Sequence, residues 1–232
     1  MSYKYGPSIV TDGLVFYVDA ANSKSYDGSA GGTTWTDLVG SNNGTLTNME
    51  TNSANAGYAY DSGNGGSIGF DGVDDYAVAS VASTTASSFT WINTFKSPNI
   101  SNTFRLVNNR GNSGKGIWIQ GESTYARLVL GTIAAYDISF TFSSNQIYNV
   151  AVVVSGTSYE LYVDGVFIGS TTISSTRTDS NSNNYYFSSG LNADGTVGAW
   201  ANQEIYFSSY YDKALSASEI TQNYNALKNR FI

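Results

Sequence analysis

The sequence predicts an all-β sandwich of two packed antiparallel sheets, closed by one C-terminal helix. Three observations carry that prediction. Short apolar runs recur with turn residues between them, an Asp-Gly pair separates two alternating segments, and helical periodicity is confined to the end of the chain. The runs are Leu14 to Val18, Phe89 to Phe95, Lys115 to Gln120, Tyr125 to Leu130, Tyr148 to Val154 and Glu204 to Phe207. Each is rich in β-branched or aromatic residues, which suit a pleated, half-buried surface. Tyr159 to Val163 and Val166 to Ile168 flank Asp164-Gly165, a pair that supplies the two positive φ angles of a type I′ hairpin turn.

Between Asn22 and Gly66 the chain is dominated by Ser, Gly, Asn and Thr, so this stretch is expected to run as surface loops with one or two short strands. The stretch from Ser174 to Asn184 has the same character. The helix is expected over about 216–228. Ser216 stands three residues before Glu219, the spacing of a capping box in which each side chain accepts from the other residue's backbone N–H. Ile220, Tyr224 and Leu227 follow at helical spacing, giving an apolar stripe expected to dock on the rim of the sheets.

The 232 residues contain neither cysteine nor histidine. A disulfide framework, a thiol nucleophile, thiolate zinc ligation and imidazole acid–base chemistry are therefore excluded. A formal charge of −7, with only eleven scattered Lys and Arg, opposes association with nucleic acid or anionic membrane. No apolar run approaches the ~20 residues needed to span a bilayer. Nothing in the composition marks a linker, and one domain over 1–232 is expected, large enough to bury roughly 70% of its unfolded surface. Met1 to Pro7 is not followed by a signal-peptide core, so the chain is expected to be made without secretion.

Four stretches together resemble the laminin-G-like, or concanavalin A-like, jelly-roll domain. They are Gly13-Leu-Val-Phe-Tyr-Val-Asp-Ala-Ala-Asn22 with Thr34-Trp-Thr-Asp-Leu38 and Asn43-Gly-Thr-Leu46; Gly66-Ser-Ile-Gly-Phe-Asp-Gly-Val-Asp-Asp-Tyr76; Glu160-Leu-Tyr-Val-Asp-Gly165; and the closing segment from Tyr211 to Phe231. The resemblance covers nearly the whole chain and implies two sheets of about six or seven strands each. The form with Asp19-Ala-Ala-Asn22 and Ser25-Tyr26 is similar to domains in structural proteins of tailed bacteriophages. That similarity implies a non-enzymatic virion structural or decoration protein, assembled in the host cytoplasm and binding other capsid or tail proteins, with cell-surface glycans as a further partner. The alternative is a calcium-assisted carbohydrate-binding lectin module, found outside the cell.

Candidate site residues follow from chemistry and from that resemblance. Asp71, Asp74 and Asp75 lie within five residues around Gly72, a density of hard oxygen ligands suited to Ca²⁺. The family resemblance implies calcium at a sheet rim, with Asp19 or Asn22 as a further ligand; an Asx turn capping its own backbone explains the same residues. Trp118 alternates with Ile117 and Ile119, so either it belongs to the core or it faces outward with Gln120 and binds a sugar. Trp91 shares a face with Phe89 and Phe95 and reads as core, while Trp35 and Trp200 are expected at the rims. No Glu-x-Asp-x-x-Glu run exists, and the five glutamates, Glu50, Glu122, Glu160, Glu204 and Glu219, are far apart. Glycoside hydrolysis by paired carboxylates is not expected.

Overall fold

The alternating runs form the expected strands in a computed structural model that describes residues 7–29, 31–50, 60–63, 66–81, 87–109, 116–130, 134–174, 184–191 and 196–231. The first strands are β1 (Leu14–Asp19), β2 (Thr34–Trp35), β3 (Gly44–Thr47), β4 (Ile68–Asp71), β5 (Tyr76–Ser80) and β6 (Ser88–Lys96). Next come β7 (Phe104–Asn108), β8 (Ile117–Glu122), β9 (Tyr125–Leu130), β10 (Ala134–Ser139), β11 (Ile147–Ser155) and β12 (Ser158–Val163). The last are β13 (Val166–Thr172), β14 (Asn184–Phe187), β15 (Gly190–Leu191), β16 (Val197–Gly198) and β17 (Asn202–Tyr211), followed by helix α1 (Ala217–Leu227). The expected loop stretch contains β2 and β3 but also residues 30, 51–59 and 64–65, which lie outside the described residues, as do 175–183 of the second polar loop.

Seven strands make one sheet in the order β1-β17-β6-β11-β12-β13, with β4 paired alongside β17. Eight make the other, in the order β10-β9-β8-β7-β14-β5-β3-β2, and every ladder is antiparallel. Sheet neighbours far apart in sequence, such as β1 with β17 in one sheet and β7 with β14 in the other, mean that the chain crosses over between the paired strands. Asp164 and Gly165 have φ of 51° and 75°, the conformation the hairpin reading requires. Gly165 is needed for space as well, because a Cβ there would stand 2.9 Å from the Tyr224 ring.

The inner faces meet in an aromatic core. Trp91 on β6 is fully buried, with its ring 4.9 Å from Tyr185 of the opposite sheet and 4.9 Å from Tyr210 beside it. Its indole Nε1 donates to Ser208 Oγ at 2.9 Å, so burial leaves no orphaned donor. Trp35 departs from its expected place at a rim: it is 1% exposed and packs against Phe187. Backbone bonds from Thr36 N to Ser25 O (2.7 Å) and from Leu46 N to Thr33 O (2.9 Å) turn β2 inward, where a short strand in a polar loop gives no periodicity to read.

The capping box at Ser216 and Glu219 is present, with Ser216 N donating to Glu219 Oε2 at 2.7 Å. The helix, however, lies over the outer face of the seven-stranded sheet and not on a rim. Ile220 there joins a second apolar cluster with Tyr17, Ile92, Val153, Tyr206, Phe207 and Tyr211. This second layer is why β6 and β11 are buried on both faces. The stripe is also narrower than expected, since Tyr224 and Leu227 are only partly buried while polar Asn223 is buried. Asn223 Oδ1 accepts from Val10 N at 2.7 Å and its Nδ2 donates to Tyr211 Oη at 3.1 Å, tying the N-terminal segment to helix and sheet.

Candidate functional site

Two groups of side chains gather polar atoms beyond what the fold itself uses. The first lies on the outer face of the eight-stranded sheet. On β8, Ile117 and Ile119 enter the core, so strand alternation points Trp118 and Gln120 away from it. The open choice between core and outer face is thereby settled for Trp118, which is half-buried on the outer surface. Its strand neighbour β7 brings Asn108 opposite Trp118 and Arg105 opposite Gln120, across a register shift between Arg105 and Val107.

Arg105 was not among the sequence-derived candidates. Its guanidinium carbon sits 4.8 Å from the centre of the Trp118 ring, and Nη1 donates to Gln120 Oε1 at 2.8 Å. The indole is therefore not a bare stacking platform, because the arginine covers one of its faces. Burial pulls the guanidinium pKa down to about 10. Gln203 of β17 holds the arginine backbone on both sides, accepting from Arg105 N at 3.1 Å and donating to Arg105 O at 2.7 Å. The alternation Phe104-Arg105-Leu106 carries a signal that Arg105 points outward, but its pairing with β8 does not show in the sequence.

The second group is the aspartate cluster, where the chain passes from β4 in one sheet to β5 in the other. Ligand atoms of Asp71, Asp74 and Asp75 lie within 4.8 Å of one another. Asp71 Oδ1 accepts from Val73 N at 2.7 Å, the expected Asx turn, and Gly72 adopts φ 78° to complete it. Asp75 is fully buried; its Oδ2 accepts from Asp71 N at 3.0 Å, while Oδ1 has no partner. Burial, with the neighbouring Asp71 and Asp74 charges adding to it, pushes the Asp75 carboxyl up to about 7. A buried carboxylate oxygen without a donor, beside two further carboxylates, fits a hard divalent cation such as Ca²⁺.

Asp19 does not join this cluster, nor does Asn22. Asp19 Oδ2 accepts from Tyr17 Oη at 2.8 Å and from Arg230 Nη1 at 2.9 Å, and Oδ1 accepts from Ala21 N at 3.0 Å, so it pins the chain terminus to β1. Asn22 Oδ1 accepts from Lys24 N at 3.0 Å in a local turn. Among the described residues the acidic cluster is Asp71, Asp74 and Asp75 alone. Trp200, at 37% exposure, does sit at the surface. A separate cavity of about 300 Å³ opens beside the helix, where Asp164, Asn149, Tyr224 and Lys228 line it.

In ion-free protein the Asp75 environment has a pH signature. Its folded pKa lies above the ordinary value near 3.8, so between the two the folded state binds the extra proton and stability falls as pH rises through them. The melting temperature of wild type relative to Asp75→Asn is expected to drop between pH 5 and pH 8. A difference that stays flat with pH would show that the carboxyl is not perturbed.

The two-sheet antiparallel jelly roll thus carries an arginine–tryptophan cluster on one outer face and a carboxylate cluster where β4 passes to β5. Residues 71–221 match the profile of the concanavalin A-like lectin/glucanases superfamily. The chain belongs to that family. Similar solved structures include a mutant of Trypanosoma rangeli sialidase displaying trans-sialidase activity, with 17% identity, TM-score 0.64, and coverage of 96% of this chain and 34% of that one. The binding domain of Botulinum neurotoxin DC in complex with rat synaptotagmin II is similar at 13% identity and TM-score 0.65, over 93% of this chain and 52% of that one. The Botulinum neurotoxin type G receptor binding domain is similar at 12% identity and TM-score 0.64, over 92% and 51%. The chain thus spans about a third of the sialidase and half of the neurotoxin domains. No curated protein sequence matches it.

Proposed function

We propose that this chain is a non-enzymatic carbohydrate-binding module whose site is the outer face of the eight-stranded sheet around Trp118 and Gln120. The observation that carries this reading is the outward placement of a half-buried indole beside an amide, on a sheet face that also presents Tyr186 against Tyr76. Aromatic surface complements the C–H faces of a pyranose, and planar amides fix its hydroxyls. Membership of a lectin/glucanase family supports the same reading. The absence of hydrolysis is supported by the scattered glutamates and by Asp137, which Arg127 clamps on this face with bonds of 2.6 and 2.8 Å.

Ca²⁺ is proposed at the rim, held by Asp71, Asp74 and Asp75. Bound there, it would supply charge neutralisation and a fixed loop geometry. Millimolar calcium is expected to raise the melting temperature of wild type and leave Asp75→Asn unchanged; a wild-type curve that does not respond after chelation would remove the metal. For the glycan reading, an array probed with wild type and Trp118→Ala should show binding that the variant loses by tenfold or more. Binding that survives the substitution would move the site elsewhere.

A second reading, a structural or decoration subunit of a tailed-phage particle contacting capsid or tail proteins, is supported by the Asp19-Ala-Ala-Asn22 resemblance and by the polar loop run of 22–66. The two readings are compatible, because a particle protein that touches a host surface serves both. Immunogold labelling of phage particles with antibody against the domain should decorate capsid or tail regularly; unlabelled particles would retire the virion role.

A further inference from the structure

Four of the seven described lysines and arginines of this acidic chain are neutralised by its own carboxylates. Among the described residues Lys96, Arg127, Lys213 and Arg230 each face a carboxylate oxygen at 2.6 to 2.9 Å. Arg105 faces none. Its Nε is buried with no partner, and the single acceptor its side chain reaches is the neutral Gln120 Oε1. A desolvated charge without a counter-charge is costly, and a folded chain keeps one chiefly where something else completes it.

The atoms around Arg105 are hydrogen-bond donors. Gln120 uses its Oε1 on Arg105, which leaves its amide N–H groups with no protein acceptor among the described residues. Trp118 Nε1, on the same face, is a buried donor without a partner. Guanidinium, amide N–H and indole N–H thus share one face, whose carboxylates have other partners: Asp137 is held by Arg127, and Glu122 Oε1 accepts from Thr103 Oγ1 at 3.4 Å. The guanidinium is also fixed in place. It stacks on the Trp118 ring, and Gln203 clamps its backbone from the other sheet, so little ordering remains to be done when a ligand arrives.

We infer that Arg105, stacked on Trp118 and oriented by Gln120, takes the carboxylate of an acidic saccharide. The inference rests on the glycan reading above and narrows it from sugars in general to those bearing a carboxylate, such as uronic acids. A guanidinium fork matches a carboxylate in two parallel hydrogen bonds, whereas a hydroxyl can use only one. The indole surface left beside the arginine favours a sugar ring over the extended backbone of an acidic peptide.

The test follows the indole N–H resonance of Trp118, assigned with Trp118→Phe, while the intact protein is titrated with methyl glucuronide, methyl glucoside and an N-acetyl glutamate amide. The glucuronide is expected to bind at least tenfold more tightly than the glucoside. Arg105→Gln should erase that preference, weakening glucuronide binding at least tenfold more than glucoside binding, and Arg105→Lys, which keeps the charge but loses the fork, should fall between. Equal affinity for glucuronide and glucoside, insensitive to Arg105→Gln, would overturn the acidic specificity and leave the glycan reading standing. Response to the glutamate amide alone would replace the saccharide with an acidic peptide, and response to none of the three would remove both readings.

Discussion

Trp91→Ala is expected to lower stability by about 3–5 kcal/mol, the range for truncating a large, fully buried aromatic side chain. The reasons are local and additive in kind. The indole is fully buried, its ring lies 4.9 Å from both Tyr185 and Tyr210, and Phe16 and Phe187 stand within 6.4 Å of it. Truncation leaves a cavity among rigid aromatic rings that cannot collapse into it, and Ser208 Oγ loses its indole donor. For a chain of this size the loss corresponds to a fall in melting temperature of roughly 10 °C. A fall of only one or two degrees would mean that the two sheets do not meet through Trp91.

Ile220→Asp is expected to detach the C-terminal helix. Ile220 is 1% exposed and is the helix's deepest apolar contact with the outer cluster over β1, β6, β11 and β17. Placing a carboxylate there costs several kcal/mol unless the helix leaves the surface. Because that cluster is separate from the inter-sheet core, the sandwich should survive in part. The expected signature is loss of the helical circular-dichroism signal and exposure of Tyr206, Phe207 and Tyr211 to a hydrophobic dye, with Trp91 fluorescence still that of a buried indole. Unchanged thermal stability and dye binding would refute the docking.

These two residues also mark how far the sequence could be read. Trp91 was legible as core because Phe89, Trp91 and Phe95 repeat at even spacing on one strand. The capping box and the Asp-Gly hairpin were legible because each depends on side-chain chemistry within a few residues. The helix's docking place was not, since Ile220 announces that a face must be covered but not which surface covers it. Asn223 was missed for a related reason: a polar residue inside an apolar stripe looks like solvent exposure until Val10 and Tyr211 arrive from more than two hundred and from twelve residues away.

The candidate sites divide in the same way. Alternation along β8 limited Trp118 and Gln120 to a shared face, and local crowding of Asp71, Asp74 and Asp75 was visible without coordinates. Arg105 escaped notice because its meaning depends on the partner strand. Only the β7–β8 register, with its shift between Arg105 and Val107, sets the guanidinium on the indole.

By itself, then, the sequence determined the strand-rich class, the hairpin turn, the helix and its cap, and the lack of thiol and imidazole chemistry, because each is fixed by composition or by neighbours along the chain. Tertiary structure alone decided that Trp35 is core, that Asp19 pairs with Arg230 instead of joining the aspartate cluster, and that among the described arginines Arg105 is left without a carboxylate. Those outcomes depend on which distant segments the sheets bring into contact, and a short periodic pattern specifies that a face will be buried without specifying its partner.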